Sequence, residues 1–516
     1  MPNTQNNDIQ PNEDRKRIAN GAGLVFLGRM GALIEAASLF VFAWYYGSET
    51  FGLFAYLWTI LTVSTVVSDV AMTTAMQRFV PKAKEGDAEK YVGYALKLTL
   101  IISTAIAAVV CFFAPHLAPL INIGAASAEH LTSVIRIYIW VLPLWTMVEV
   151  ATAAIRARRT FGPEIRIRIF YEQGLRLIAA TVFAVLGYLT YGLFIAHLVS
   201  VSLAALLALR LVSKQYDLSA IIRAPLTGPV AKEMRQYGLS IMPANIIKKL
   251  FSAFPVIYLN WLMPGAAGAD ASGFYTLARK IASIILAIRL TFEYVMAPLA
   301  AEKEGMGDRK ALQVMYGFAT RLSISVALPF GAALILARND ILAGVPPEFQ
   351  VISSAIAILC IGRVVEAATG PSSAIIEMLA HRSLPPLNAL LGFCTLLAVG
   401  YYMVPLYGVT GMAIGAAIGI NVTALLSMIE TMVLFKLYPY CKLLIRPLIA
   451  SLILTGGIGA MIPYSETWPT PLGFIAAITS FLLALFLLIR YGLTYEDTAS
   501  LGKLNKLKPK RKPQTK

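Results

Sequence analysis

Residues 277–295 read LARKIASIILAIRLTFEYV, an apolar run that carries Arg279, Lys280, Arg289 and Glu293. An ionised side chain at the centre of a bilayer helix costs roughly 2.5–3.5 kcal/mol on insertion scales. Three cations and one carboxylate in one run therefore need a reason. On a helix, Arg279, Ser283, Arg289 and Glu293 share about a third of the circumference, and Lys280 points elsewhere. Such a stripe faces a bundle interior or a water-filled cavity. Guanidinium groups placed there suit a dense anion such as a diphosphate, whose oxygens they bind bidentately. Glu293 lies one turn beyond Arg289 and is placed to hold that arginine when no anion is bound.

A second stripe comprises Thr62, Thr65, Asp69 and Thr73. Asp69 is the candidate coupling residue, for a proton or a sodium ion, and the plainer reading is a hydrogen bond to a neighbouring helix. Other charges at membrane depth are Arg29, Glu35, Lys97, Arg136, Glu149, Lys248, Lys249 and Arg321. Glu172 with Arg176, and Arg363 with Glu366, have the spacing of intrahelical ion pairs. Lys97 and Arg136 lie near span ends, where long side chains snorkel. Arg29, Lys248, Lys249, Arg279 and Arg289 outnumber the nearby carboxylates and read as substrate-binding cations.

These residues must be positioned by membrane helices. Of the 516 residues 58% are hydrophobic and 14% charged, with mean hydropathy +0.69. Soluble domains are nearer half apolar and a quarter charged. Stretches of about 20 apolar residues, enough to span hydrocarbon, recur throughout. The net charge of +16 sits in the short segments between them and in the tail KLNKLKPKRKPQTK, which argues for membrane topology and against nucleic acid. The four cysteines are far apart, with neither a disulfide framework nor a metal site indicated. No catalytic set is recognisable, and no polar loop is long enough for a soluble catalytic domain. The polar N-terminal segment lacks a signal-peptide pattern, so the first span is expected to be retained.

The fold expected is all-α and polytopic, with about fourteen spans. Basic residues fill alternate loops, which places both termini in the cytoplasm. An internal repeat aligns FGLFAYLWTILTVSTVVSDV with SGFYTLARKIASIILAIRLT, matching Gly52 with Gly273. Its offset spans an even number of helices, so the repeats are parallel. The organisation expected is a cytoplasmic segment 1–21, a six-helix lobe 22–212, a cytoplasmic linker 213–235, and a second six-helix lobe 236–435. Two extra spans, 444–491, and a basic cytoplasmic tail, 492–516, complete it.

Three phrases carry a resemblance: YYGSETFGLFAYLWTI, GFYTLARKI and AAIRARRTFGPEIRIRI. With the arrangement of six, six and two spans, the chain resembles the polysaccharide transporter branch of the multidrug/oligosaccharidyl-lipid/polysaccharide flippase superfamily. That resemblance covers nearly the whole chain and implies a V-shaped pair of lobes around a central cavity. It implies movement of polyprenyl-diphosphate-linked oligosaccharide across the cytoplasmic (inner) membrane by alternating access, for polysaccharide or lipopolysaccharide biosynthesis. Arginines of the first and eighth helices meet the diphosphate in this family, and Arg29 and Arg279 lie in those spans. Arg289 is a further candidate, and Lys280 departs from the pattern. The partners implied are the lipid-linked anionic oligosaccharide, membrane lipids and polysaccharide assembly proteins. No cofactor is implied beyond a coupling H+ or Na+. The rival readings are a multidrug/cation antiporter of the same superfamily, a membrane-embedded glycan polymerase or acyltransferase, and a non-transporting glycan-assembly factor.

Overall fold

The computed structural model describes residues 32–83, 87–158, 164, 166–381 and 383–499. Arg29 and the segment 1–21 lie outside them. In chain order the helices are α1 (Ala32–Asp69), α2 (Met72–Phe79), α3 (Ala88–Leu117), α4 (Ala125–Tyr138), α5 (Val141–Ala157), α6 (Glu172–Val185), α7 (Gly192–Gln215), α8 (Leu218–Arg223), α9 (Pro229–Leu262), α10 (Ala266–Gly305), α11 (Arg309–Leu342), α12 (Ser353–Ala368), α13 (Ser372–Leu379), α14 (Leu384–Leu434), α15 (Ile445–Gly459), α16 (Ile462–Ser465), α17 (Leu472–Leu487) and α18 (Tyr495–Ala499).

Ten helical stretches among the described residues are long and apolar enough to cross a membrane. Two of these are bent pairs. Gly47 (φ 74°) interrupts α1 and Gly408 (φ 55°) interrupts α14, where the sequence shows the short turns YYGSET and YGVTG. Glycine tolerates these left-handed torsions without a Cβ penalty. The charged helices α6 and α9 fall outside the ten by composition.

The second expected span, residues 51–77, would carry the polar stripe on a single helix. It stops instead at Asp69, because Val70 (φ 48°) and Ala71 (φ 54°) are left-handed, and α2 starts afresh. The polar stripe is therefore cut before Thr73. Asp69 bridges the cut: it accepts from the Thr73 backbone N–H (3.2 Å) and hydroxyl (2.8 Å). Thr62 and Thr65 bond back to their own helix, as hydroxyls in apolar helices do.

The chain forms two compact units, divided inside α10 between Leu277 and Ala278. In the first unit α2, α3, α5 and α7 share a core rich in small residues, among them Ala151, Ala154, Ala204 and Ala208. Small side chains let helix backbones approach closely in membranes. The linker is tied down within this unit. Lys97 donates to the carbonyls of Ile222 and Ala224 (both 2.6 Å) at the end of α8, so it caps that helix rather than snorkelling. Tyr216 donates to the Ala154 carbonyl (2.8 Å), beneath the Arg158 guanidinium (4.0 Å from its ring).

In the second unit α11 packs on α12, α15 and α17. Ala332, Ala333 and Ala337 of α11 meet Ala477 and Ala484 of α17. The glycine-rich stretch GVTGMAIGAAIG of α14 packs closely on the half of α14 that precedes Gly408. A Cβ on Gly411 would lie 2.1 Å from the Met403 carbonyl oxygen, and one on Gly419 would lie 2.6 Å from that of Gly392. The repeat that matches Gly52 with Gly273 also matches Ser68 with Arg289, since 273 − 52 and 289 − 68 are equal. Ser68 bonds Thr146 on α5 (3.1 Å), and Arg289 bonds Glu366 on α12.

Candidate functional site

Arg289 anchors a charged cluster inside the second unit. It projects from α10 and is only 5% exposed. Its Nη1 donates to Glu366, and its Nη2 to Glu293 (2.6 Å) and to the Ser373 hydroxyl (2.6 Å). Its Nε donates to the Gly370 carbonyl (3.2 Å). Glu366 also takes Arg363, three residues back on α12 (2.6 Å). Two guanidinium groups thus meet two carboxylates.

The backbone explains why Arg289 can reach so much. The tenth expected span, residues 349–370, ends in a break after α12, at Gly370 (φ 63°) and Pro371, and the chain resumes as α13. The break exposes the Gly370 carbonyl, and Arg289 supplies the missing donor. A Cβ on Gly370 would lie 2.1 Å from the Thr320 hydroxyl, so α11 holds the break closely. One guanidinium therefore joins both halves of a broken helix to α10.

The remaining expected cations are placed differently. Arg279 and Lys280 are half-buried on α10, one to three turns from Ser283 and Arg289. Lys248 is exposed and Lys249 half-buried, midway along α9 in the first unit between Pro243 and Pro255. Asp69 is 7% exposed and caps α2. Glu149 is held by Arg168 (2.9 Å), which with Arg156 also grips Glu164.

Two clusters went unread in the sequence. In the first unit Glu172 and Arg176 form the expected pair at 3.6 Å, and His197 joins them. The His197 Nε2 lies 3.2 Å from Arg176 Nη1 and its Nδ1 lies 2.8 Å from the Tyr138 hydroxyl. Ser200 donates to Glu172 (3.2 Å). His197 and Ser200, three apart on apolar α7, carried the only signal. In the second unit Arg321, 2% exposed, binds Asp497 (2.6 Å) and reaches the Cys441 sulfur (3.3 Å). Thr494 also donates to Asp497 (2.7 Å). The expected tail thus starts later than residue 492, because α18 is docked by a buried charge.

Among the described residues no group of His, Cys, Asp and Glu has the geometry of a metal site. What the arrangement offers is fixed charge inside helices that break and bend.

These features define a multi-pass helical membrane protein of the fold shared by lipid-linked-saccharide flippases and multidrug transporters. The solved lipid II flippase MurJ, in an inward closed conformation, is similar at TM-score 0.70 and 13% identity, over 90% of this chain and 98% of that one. An inward-facing MATE-family multidrug resistance transporter of the MOP superfamily gives 0.62 at 16%, over 82% and 94%. An outward-facing one gives 0.61 at 17%, over 83% and 96%. The chain belongs to the polysaccharide biosynthesis protein family, whose model matches residues 46–344. No curated protein sequence matches significantly.

Proposed function

We propose that this protein is a flippase that carries a polyprenyl-diphosphate-linked anionic oligosaccharide across the cytoplasmic membrane by alternating access. Its role would be in polysaccharide or lipopolysaccharide synthesis, beside assembly proteins of that route. Membership of a polysaccharide biosynthesis family supports this, and so does the fold it shares with a lipid II flippase. The observation that carries it is Arg279, a half-buried guanidinium in the part of α10 that is apolar enough to cross a membrane. A diphosphate brought into low dielectric needs such a partner, since its charge would otherwise be stranded.

Arg279 is assigned to the diphosphate. Arg289, bound to Glu293 and Glu366, sets the shape of the tenth-span break and yields Glu293 when the anion arrives. Lys248, Lys249 and Arg29 are assigned to later or earlier contacts along the path. Asp69 remains the coupling candidate for H+ or Na+. A multidrug antiporter is the second reading, favoured by the MATE-like fold. Complementation of a flippase-deficient strain separates the two. Arg279→Ala should abolish it at normal expression, and full complementation by that variant would sink the assignment.

A further inference from the structure

The first unit contains a cleft of about 330 Å³ that none of the groups above uses. Its walls come from α1 (Tyr56, Ile60, Ser64), the end of α3 (Val110, Leu117), the turn that follows it, and α4 (Ile135, Tyr138, Ile139). The volume is at the small end of the roughly 300–1,000 Å³ typical of ligand sites, and its mostly aliphatic lining suits the end of a hydrocarbon chain rather than a saccharide.

The lining favours hydrocarbon over water. Of its three hydroxyls, that of Ser64 donates to the Ile60 carbonyl (3.0 Å) and that of Tyr138 is shared with His197, which leaves Tyr56 among leucine, isoleucine and valine side chains. A buried water needs two to four polar partners, and a mostly aliphatic wall supplies few. Leaving the space empty forfeits the dispersion contacts of every wall atom. The cleft is continuous with the outer face of α3, where Ile101, Val109, Phe112 and Phe113 are exposed and Leu120 at the cleft rim is 70% exposed. That span is 22% buried in its most apolar window, against 56–72% for the other spans of the unit. Its face is therefore the one the bilayer covers.

We infer that this cleft binds the acyl chain of a membrane phospholipid, entering from the lipid-facing side of α3. Tyr138 gives the site a link inward, because its ring lines the cleft while its hydroxyl meets His197 of the buried Glu172–Arg176 cluster. This inference is independent of the substrate proposed above.

The test uses the full chain in bilayer discs of phosphatidylethanolamine and phosphatidylglycerol with a trace of phospholipid bearing a diazirine on its acyl chain. After irradiation, peptide mapping should find label concentrated at residues 56–64, 117–121 and 135–139. Ile60→Trp and Ile139→Trp, which fill the space, should each lose that label while labelling of 100–113 is unchanged. The smaller Ile60→Phe serves if either fails to insert. Label confined to 100–113, or cleft label unchanged by the filling variants, would overturn the inference. Replacing part of the unlabelled phospholipid with a long polyisoprenol should leave cleft labelling intact. Its loss would give the cleft to an isoprenoid chain and overturn the phospholipid assignment.

Discussion

Arg289 makes four hydrogen bonds from one guanidinium, two of them to carboxylates on different helices. Removing it would leave Glu293 and Glu366 short of a partner inside the protein, and truncating one side of such a pair costs about 3–5 kcal/mol. Arg289→Ala is therefore expected to lower the thermal unfolding midpoint of the purified protein, whereas Arg279→Ala is read out by loss of complementation at normal expression. Arg289→Lys keeps the charge without the planar fork and should fall between Arg289→Ala and wild type. Asp69 separates the same way. Asp69→Asn retains an acceptor for the Thr73 N–H, so it should cost at most roughly 1 kcal/mol of stability. If Asp69 takes the coupling ion, Asp69→Asn should transport no faster with an ion gradient than without one. Full gradient-driven transport would make it a cap alone. The sequence displays Arg363 with Glu366, and Arg289 with Glu293, because a helix brings residues three and four apart together. It hides Arg289 with Glu366, which are distant in sequence and meet only when α10 packs against α12.

At the scale of elements, the breaks matter more than the spans. Apolar windows give the helices well, since a bilayer forces backbone groups to bond internally. They do not show the left-handed pair Val70–Ala71, which carries no glycine or proline, whereas the gap at Gly370 is marked by the Gly370–Pro371 step that a hydropathy window averages away. Gly370→Ala would force a Cβ against Thr320 at a positive φ, a strain of about 1–3 kcal/mol. It should weaken heat resistance although it removes no charge. The C-terminal helix α18 is legible only afterwards. Asp497 looks like one acid before a basic tail, yet it is fully buried against Arg321. Asp497→Ala should destabilise the protein by about 3–5 kcal/mol, while an apolar pair at both positions, Arg321→Met with Asp497→Leu, should recover most of the loss. Thermal unfolding of the three variants reads this out.

For the whole molecule, the distribution of loop charges predicts that both termini are cytoplasmic. Reporter fusions at Gly86, Gly162 and Lys508 should read cytoplasmic, and fusions at Ala126 and Gly268 external. A reversed signal at either external site would break the proposed topology. The class of fold was legible because composition and window length follow directly from the solvent, and the repeat was legible in the phrases around Gly52 and Gly273. These two glycines also meet in space. A Cβ on Gly273 would come within 3.0 Å of the Gly52 Cα, and one on Gly52 would strike the Ala269 carbonyl oxygen at 1.9 Å. Positions that correspond in the two halves of the chain thus touch each other. In symmetric pairs of identical chains, a residue meets its own copy only where the two-fold axis passes. The crossing at Gly52 and Gly273 has that self-matching character, so a bulkier residue at either position would push apart the same two helices.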